Sequence, residues 1–207
     1  MRKIRIILLF VVALMASGSA AVAAPPSDWS RLVKEASWLQ YGFRLGVNIS
    51  LESKYSETDK LDKLLSAEFG AFARFGKIVY GEIGFGYMFH KGTYETAILP
   101  AAGTERVESR FLQIPIKAVA YLPVSNKVAF LPNFGVAYQP LIHVTKNSIG
   151  YDKSSINPHS FIFMAGTGLK IHFVTIDLAY KKNLTSFFKD RKSAKPSFFS
   201  IMLGFQF

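Results

Sequence analysis

Cysteine is absent from this chain of 207 residues. Its absence excludes disulfides, thiolate metal sites, cysteine nucleophiles and a lipid-modified N-terminal cysteine, so the fold has to be stable without covalent cross-links. Charged residues are few, at 19%, and the 14 acidic residues are outnumbered by 25 Lys and Arg. Beyond the N-terminal segment there is no long apolar run suited to a helix, because the uncharged stretch 128–145 contains Pro132 and Pro140. The chain is therefore predicted to be either a soluble exported protein or a β-barrel.

The N-terminal segment predicts export. Residues 1–23 combine a basic start, an apolar run from Ile6 to Ala16 and a small-residue end that fits a signal peptidase site. The alternative is a retained membrane anchor, but the apolar run is shorter than the roughly 20 residues that a helix needs to cross a bilayer. We therefore expect a cleaved signal peptide.

Residues 24–39 are predicted to form a periplasmic lead-in with a short amphipathic helix. Apolar side chains recur here at helical spacing, as in Trp29, Leu32, Val33 and Ala36. This helix is either a simple connection or an interfacial helix that lies on a membrane.

Aromatic residues are abundant, with 19 Phe and 9 Tyr, and they favour strands. From residue 40 onward apolar side chains fall on alternate positions, as in Tyr41, Phe43 and Leu45 of the first segment. Eight such segments follow one another, joined in turn by long polar loops and very short connections. This pattern predicts an all-β fold, an eight-stranded antiparallel up-and-down transmembrane β-barrel over residues 40–207, with both termini periplasmic.

Glycines indicate which face of the predicted barrel is inside. A soluble barrel of the lipocalin type would turn its apolar face inward. Here glycines such as Gly42, Gly46, Gly84 and Gly135 share the polar phase of their strands, which suits the narrow interior of an eight-stranded barrel. Charged residues on this phase are predicted to form a lumenal ionic network of Arg44, Glu68, Arg74, Glu82, Lys117, Lys170, Asp177 and Lys181.

The chain ends on the apolar run "IMLGFQF", with Phe205 and Phe207 on the lipid phase. We expect this last strand to close the barrel against the first. The two phenylalanines are interpreted as the terminus that the barrel-assembly machinery recognises during insertion.

Several strand motifs resemble the small outer-membrane β-barrel proteins of Bacteroidetes, the porin-like or PorT-like family. The motifs are "YGFRLGVNIS", "GEIGFGYMFHKG", "RFLQIPIKAVAYLP", "IDLAYKKNLTSF" and "IMLGFQF", and "FLQIPIKA" is the most specific. The resemblance covers residues 40–207. It implies eight strands and an outer-membrane location, and it brings no catalytic residues.

Few residues of this sequence suggest catalysis or metal binding. The four histidines do not form a metal cluster in sequence, and we assign no metal, cofactor or catalytic residue. Ser109, Ser148 and Ser160 could approach His90 or His143 near the outer rim, but serines in flexible loops meet histidines easily by chance. We expect no nucleic acid as a partner of an exported barrel.

One loop is strongly basic. Lys189, Arg191, Lys192 and Lys195 accompany only Asp190, and the phosphates of lipopolysaccharide are suitable ligands for them. The alternative is a simply solvated loop.

Three functions follow from these features. The preferred one is a small integral barrel with a filled lumen that acts as a structural or interaction component through its loops or rim, with outer-membrane lipid or an envelope protein as partner. The second is a passive pore or transporter for small solutes. The third is a lipid-modifying enzyme, although the chain is expected not to be an enzyme.

Overall fold

The computed structural model describes residues 37–51, 59–96, 105–145, 153, 155–187, 189 and 195–207. The predicted signal peptide and almost all of the lead-in lie outside these residues. The predicted amphipathic helix lies outside the described residues, and Leu39, the last residue of the predicted lead-in, belongs to the first strand.

Eight long strands make up the described chain, as predicted. They are β1 (Leu39–Ser50), β2 (Asp59–Gly76), β3 (Val79–Thr96), β4 (Glu105–Ala120), β5 (Val128–Val144), β6 (His159–Ile171), β7 (Val174–Asn183) and β8 (Ser197–Gln206). A two-residue segment, Leu122–Pro123, extends the ladder beside the start of β5. Among the described residues no helix is suited to crossing a membrane.

The sheet closes on itself. Each strand pairs antiparallel with the next, and β8 pairs with β1 through registers such as Phe43 opposite Phe205. The last residue takes part in this closure, because the Phe207 N–H donates to the Tyr41 carbonyl at 2.8 Å and the Tyr41 N–H donates to the Phe207 carbonyl at 3.0 Å. The predicted closure of the barrel by its terminal strand is confirmed.

The two ends of the barrel differ. Short connections after β2, β4 and β6 lie at the same end as the start of β1 and the end of β8, which we call the turn end. Long connections after β1, β3, β5 and β7 lie at the other, the loop end. Two tight turns at the turn end require positive φ angles, at Gly76 (142°) and His172 (56°).

Side chains alternate between the two faces as the period of two predicts. Phe43 and Phe134 on the outer face are each 62% exposed, whereas Arg74 and Glu82 on the inner face are each 1% exposed. The apolar face is thus outside, as a membrane barrel requires and unlike a lipocalin.

Glycine on the inner face permits close packing of neighbouring strands. A Cβ atom at Gly135 would lie 2.7 Å from Lys117 Cα, and one at Gly46 would lie 2.8 Å from Met202 Cα. Larger side chains would therefore push these strand pairs apart.

Candidate functional site

The lumen is filled by inward side chains, and its turn end is closed by an apolar layer. Tyr80, Val119, Ala129 and Leu131 are almost completely buried there. The Tyr80 hydroxyl accepts a hydrogen bond from Gln40 Nε2 at 2.9 Å and donates to the Ser37 carbonyl at 2.8 Å. This end of the lumen is both apolar and hydrogen-bonded, so it is held in one arrangement.

The middle of the lumen centres on Glu82. Its Oε1 lies 2.7 Å from Arg44 Nη1 and 2.8 Å from Lys117 Nζ, and its Oε2 lies 2.7 Å from Arg74 Nε. Four strands meet at this carboxylate, since the three cations come from β1, β2 and β4. Both carboxylate oxygens are ion-paired, which is the condition under which a buried carboxylate is tolerated.

The same layer continues into the hydrogen bonds of the closing strand. Arg74 Nη1 donates to Gln206 Oε1 at 2.6 Å, and Gln206 Nε2 donates to Gln40 Oε1 at 2.6 Å. The Phe72 ring packs against the guanidinium groups of Arg44 (5.3 Å) and Arg74 (4.6 Å). Hydrogen bonds inside the barrel therefore link side chains of the first two strands to the last strand.

A second ion pair lies nearer the loop end. Lys181 Nζ is 2.5 Å from Glu68 Oε2, and Asn48 Nδ2 donates to the same oxygen at 3.3 Å. The Gln113 amide lies 2.9 Å from Glu68 Oε1 in the orientation that lets its nitrogen donate. Glu68 is a residue of β2, and its carboxylate thus contacts side chains from three other strands, β1, β4 and β7.

Six of the eight residues proposed for the lumenal network are brought together as these two clusters, around Glu82 and Glu68. Asp177 faces inward and is 8% exposed, and it lines a small cavity of about 20 Å³ with Lys117, but makes no ion pair within 4.0 Å among the described residues. Lys170 lies apart, one residue before the end of β6, with its Nζ 5.9 Å from the Tyr121 ring. Lys170 lies on the same inward face of the strands as the two clusters, but it is closer to the turn end of the barrel.

An aromatic layer closes the loop end. His90 is 4% exposed, and its Nδ1 lies 2.5 Å from Ser66 Oγ. Its ring meets Phe111 edge-on at 5.0 Å and approaches Phe198 at 5.6 Å and Phe187 at 6.3 Å. His90 therefore lies in an aromatic box inside the lumen rather than at an open rim.

Two loops form a lid over this box. The Asn157 N–H donates to the Phe187 carbonyl at 2.9 Å, and the Lys189 N–H donates to the Ser155 carbonyl at 3.1 Å, so the β5–β6 and β7–β8 loops are bonded to each other. Ile156 and Phe187, which we call the lid residues, are 1% and 5% exposed. The lid therefore covers His90 from the loop end.

The serine next to His90 differs from the three considered from sequence. Ser66 holds that position, whereas Ser109 is the neighbour of His90 on β4, Ser160 points inward from β6 and Ser148 lies outside the described residues. Ser66 was predictable, because the short turn between β2 and β3 places it opposite His90. No cluster of three His, Asp or Glu able to hold a metal is found in the described chain.

Other predicted site residues lie at the surface. Lys189 and Lys195 are exposed at the loop end, while Arg191 and Lys192 fall outside the described residues. Phe205 and Phe207 face outward at the turn end, where their rings lie 6.2 Å from Phe173 and 6.3 Å from Tyr41.

Closed eight-stranded architecture, an apolar exterior and a polar interior define an outer-membrane β-barrel. Residues 10–207 match the family described as outer membrane protein beta-barrel domain, and the chain belongs to this family. No curated protein matches the chain.

Similar solved structures are those of Ail, the attachment invasion locus protein of Yersinia pestis. Ail in complex with the heparin analogue sucrose octasulfate is 12% identical, with a TM-score of 0.44, and the match covers 83% of this chain and all of Ail. Ail without this ligand is 14% identical, with a TM-score of 0.40 and coverage of 81% and 98%. Ail in a phospholipid nanodisc is 15% identical, with a TM-score of 0.36 and coverage of 81% and 99%.

Proposed function

We propose that this protein is a closed barrel whose loop end faces outward and whose termini are periplasmic, acting as a structural or interaction component of the outer membrane. The observation that carries the proposal is the burial of inward side chains of the described strands at the turn end, in the middle and at the loop end of the lumen. The strand motifs support the narrower assignment to the PorT-like barrels, with "FLQIPIKA" on β4 as the most specific of them.

A filled lumen argues against the pore. A solute would have to pass the apolar layer around Leu131, the ion pairs of Glu82 and the box of His90 in turn. A solute that displaced these buried ion pairs would leave charges without a partner in the lumen, which is unfavourable. The interior of an eight-stranded barrel is just wide enough for its side chains to fill or for one small ligand, which is far narrower than the aqueous channel of a porin.

Access also argues against an enzyme. The Ser66–His90 contact is a nucleophile–base pair in composition, but it lies beneath Phe187 and inside the lumen. A lipid ester would have to pass the lid to reach it. We therefore propose a function without catalysis.

The loop end is the part of the barrel left for recognition. Exposed Lys189 and Lys195, with Arg191 and Lys192 of the same segment, are proposed to contact lipopolysaccharide phosphates, which bind such cations through charge-assisted hydrogen bonds. An envelope protein is the other partner that this surface could bind. Phe205 and Phe207 are proposed to be read by the assembly machinery.

Conductance tests the proposal directly. The refolded wild-type barrel in a planar bilayer is expected to give currents near background, because inward side chains of the described strands are buried in all three layers. Steady open-channel currents from properly folded protein would overturn the filled-lumen proposal and favour the pore.

A further inference from the structure

The outer face of β1, β2 and β3 contains an apolar groove of about 370 Å³. Ala71 of β2 forms its floor, between its cross-strand neighbours Phe43 on β1 and Phe85 on β3. The remaining side chains around it are those of Leu45, Phe69, Tyr87 and Phe205. One small residue among large ones thus leaves a recess in the lipid-facing surface.

The groove is open to the surroundings of the barrel. Phe43, Phe69 and Phe85 are 62%, 54% and 57% exposed, so in the described chain no side chain fills the recess. Atoms that line an unfilled recess forfeit their dispersion contacts on one side. On a lipid-facing surface the filling group has to be apolar, and an acyl chain has the required shape.

Aromatic rings continue from the groove toward the loop end. Phe69 and Tyr87 have ring centroids 5.6 Å apart, and Tyr87 and Phe89 have centroids 4.7 Å apart. We call these three residues the aromatic ladder. It provides a continuous apolar track along the outer face of β2 and β3.

A cation lies at the upper end of this ladder. Arg110 of β4 is exposed, is paired in register with Phe89, and holds its guanidinium 5.7 Å from the Phe89 ring. Within the described residues it has no carboxylate within 4.0 Å, whereas the nearby Lys91 is paired with Glu108 at 2.8 Å. Phe85 and Phe89 are four residues apart on one strand, about 13 Å at 3.3 Å per residue. This separation is less than the thickness of one hydrocarbon leaflet, which is about 15 Å, so one acyl chain can reach from the cation to the groove.

We propose that the groove, the aromatic ladder and Arg110 together bind one phosphorylated glycolipid of the lipid A type. Its phosphate is held by Arg110, whose fork of N–H donors matches phosphate oxygens, and one acyl chain runs down the aromatic ladder into the groove at Ala71. The assignment to the outer leaflet rests on the proposed function, in which the loop end faces outward. The site is distinct in sequence from Lys189 and Lys195, which belong to the segment between β7 and β8.

Native mass spectrometry of the refolded barrel in detergent, titrated with lipid A, tests the site. Ala71→Phe fills the groove and Arg110→Gln removes the cation. Ala165→Phe is the matched control for the first, because Ala165 faces outward on β6 between Phe134 and Tyr180. Lys127→Gln, at an exposed lysine of the turn end, is the control for the second.

One lipid A per wild-type barrel is expected, with at least a roughly tenfold loss of affinity in Ala71→Phe and in Arg110→Gln and none in the two controls. Equal binding by Ala71→Phe and Ala165→Phe would overturn the proposal. So would equal binding of dephosphorylated lipid A, or competition by phosphatidylglycerol at equal concentration, which would indicate ordinary lipid contact.

Heat-modifiable migration on gels shows whether each variant has folded, and Ala71→Leu replaces Ala71→Phe if that variant has not. The binding result is independent of conductance. A conducting barrel that still loses lipid A on Arg110→Gln overturns only the filled-lumen proposal. If the barrel does not conduct and Ala71→Phe binds lipid A as well as Ala165→Phe does, only the proposed lipid site is overturned.

Discussion

Arg74 and Glu82 face each other across the β2–β3 hairpin, and Arg74 Nε donates to Glu82 Oε2 at 2.7 Å inside the lumen. Lys117 and Arg44 meet the other oxygen of the same carboxylate. A single carboxylate thus compensates three cations, and its loss would leave all three without their common partner.

Glu82→Ala is expected to destabilise the barrel by about 3–5 kcal/mol, because it leaves buried cations unpaired. Urea unfolding in lipid vesicles measures the change in the free energy of unfolding. Glu108→Ala is the control, since Glu108 belongs to the exposed pair with Lys91 and surface pairs contribute about 0–1 kcal/mol. Similar losses in both variants would show that lumenal water screens Glu82.

Deletion of Phe207 is expected to slow insertion strongly. The residue makes two backbone hydrogen bonds to Tyr41 at the closing seam, so its loss weakens the contact that completes the ring. The yield of folded barrel per unit of synthesised chain is the measurement. Removal of one residue from the β5–β6 loop is the control, because loop length affects stability only weakly. If both deletions assembled as well as wild type, the terminal strand end would have no special role.

The barrel is expected in the outer-membrane fraction, with unheated samples migrating differently from heated ones on gels. The reason is the band of exposed aromatic and aliphatic side chains, among them Phe43, Phe85 and Phe134. Soluble monomers rarely expose so large an apolar surface to water, whereas a membrane barrel exposes it to lipid. Membrane fractionation and gel shift are the measurements. A stable monomer in buffer without detergent would contradict this location.

His90 is expected to resist acylation by diethyl pyrocarbonate while His143, His159 and His172 react, because the last three are exposed. Phe187→Ala removes half of the lid and is expected to raise the rate at His90 roughly tenfold, as read by peptide mass spectrometry. Phe173→Ala, at an exposed phenylalanine of the turn end, is the control. Rapid reaction of His90 in the wild type would mean that the lid does not close the loop end of the lumen.

Much of this architecture follows from local patterns. Alternation along "YGFRLGVNIS" determines that β1 is a strand and that Arg44 points away from Phe43, because successive side chains of a strand point to opposite faces. Glycines on the polar phase indicate which face is inside. A tight turn at Gly76 also determines that Arg74 opposes Glu82, since register in a hairpin follows from the turn.

Contacts across the lumen were decided by the closed tertiary structure. Lys181 meets Glu68 although 113 residues separate them, and no periodicity predicts that pair. Lys170 has the same inward phase but lies near the turn end, because phase specifies a face and leaves height along the barrel open. Ile156 and Phe187 lie in loops without any repeat. Their burial over His90 depends on two loops bonding to each other, which only curvature of the sheet into a closed ring allows.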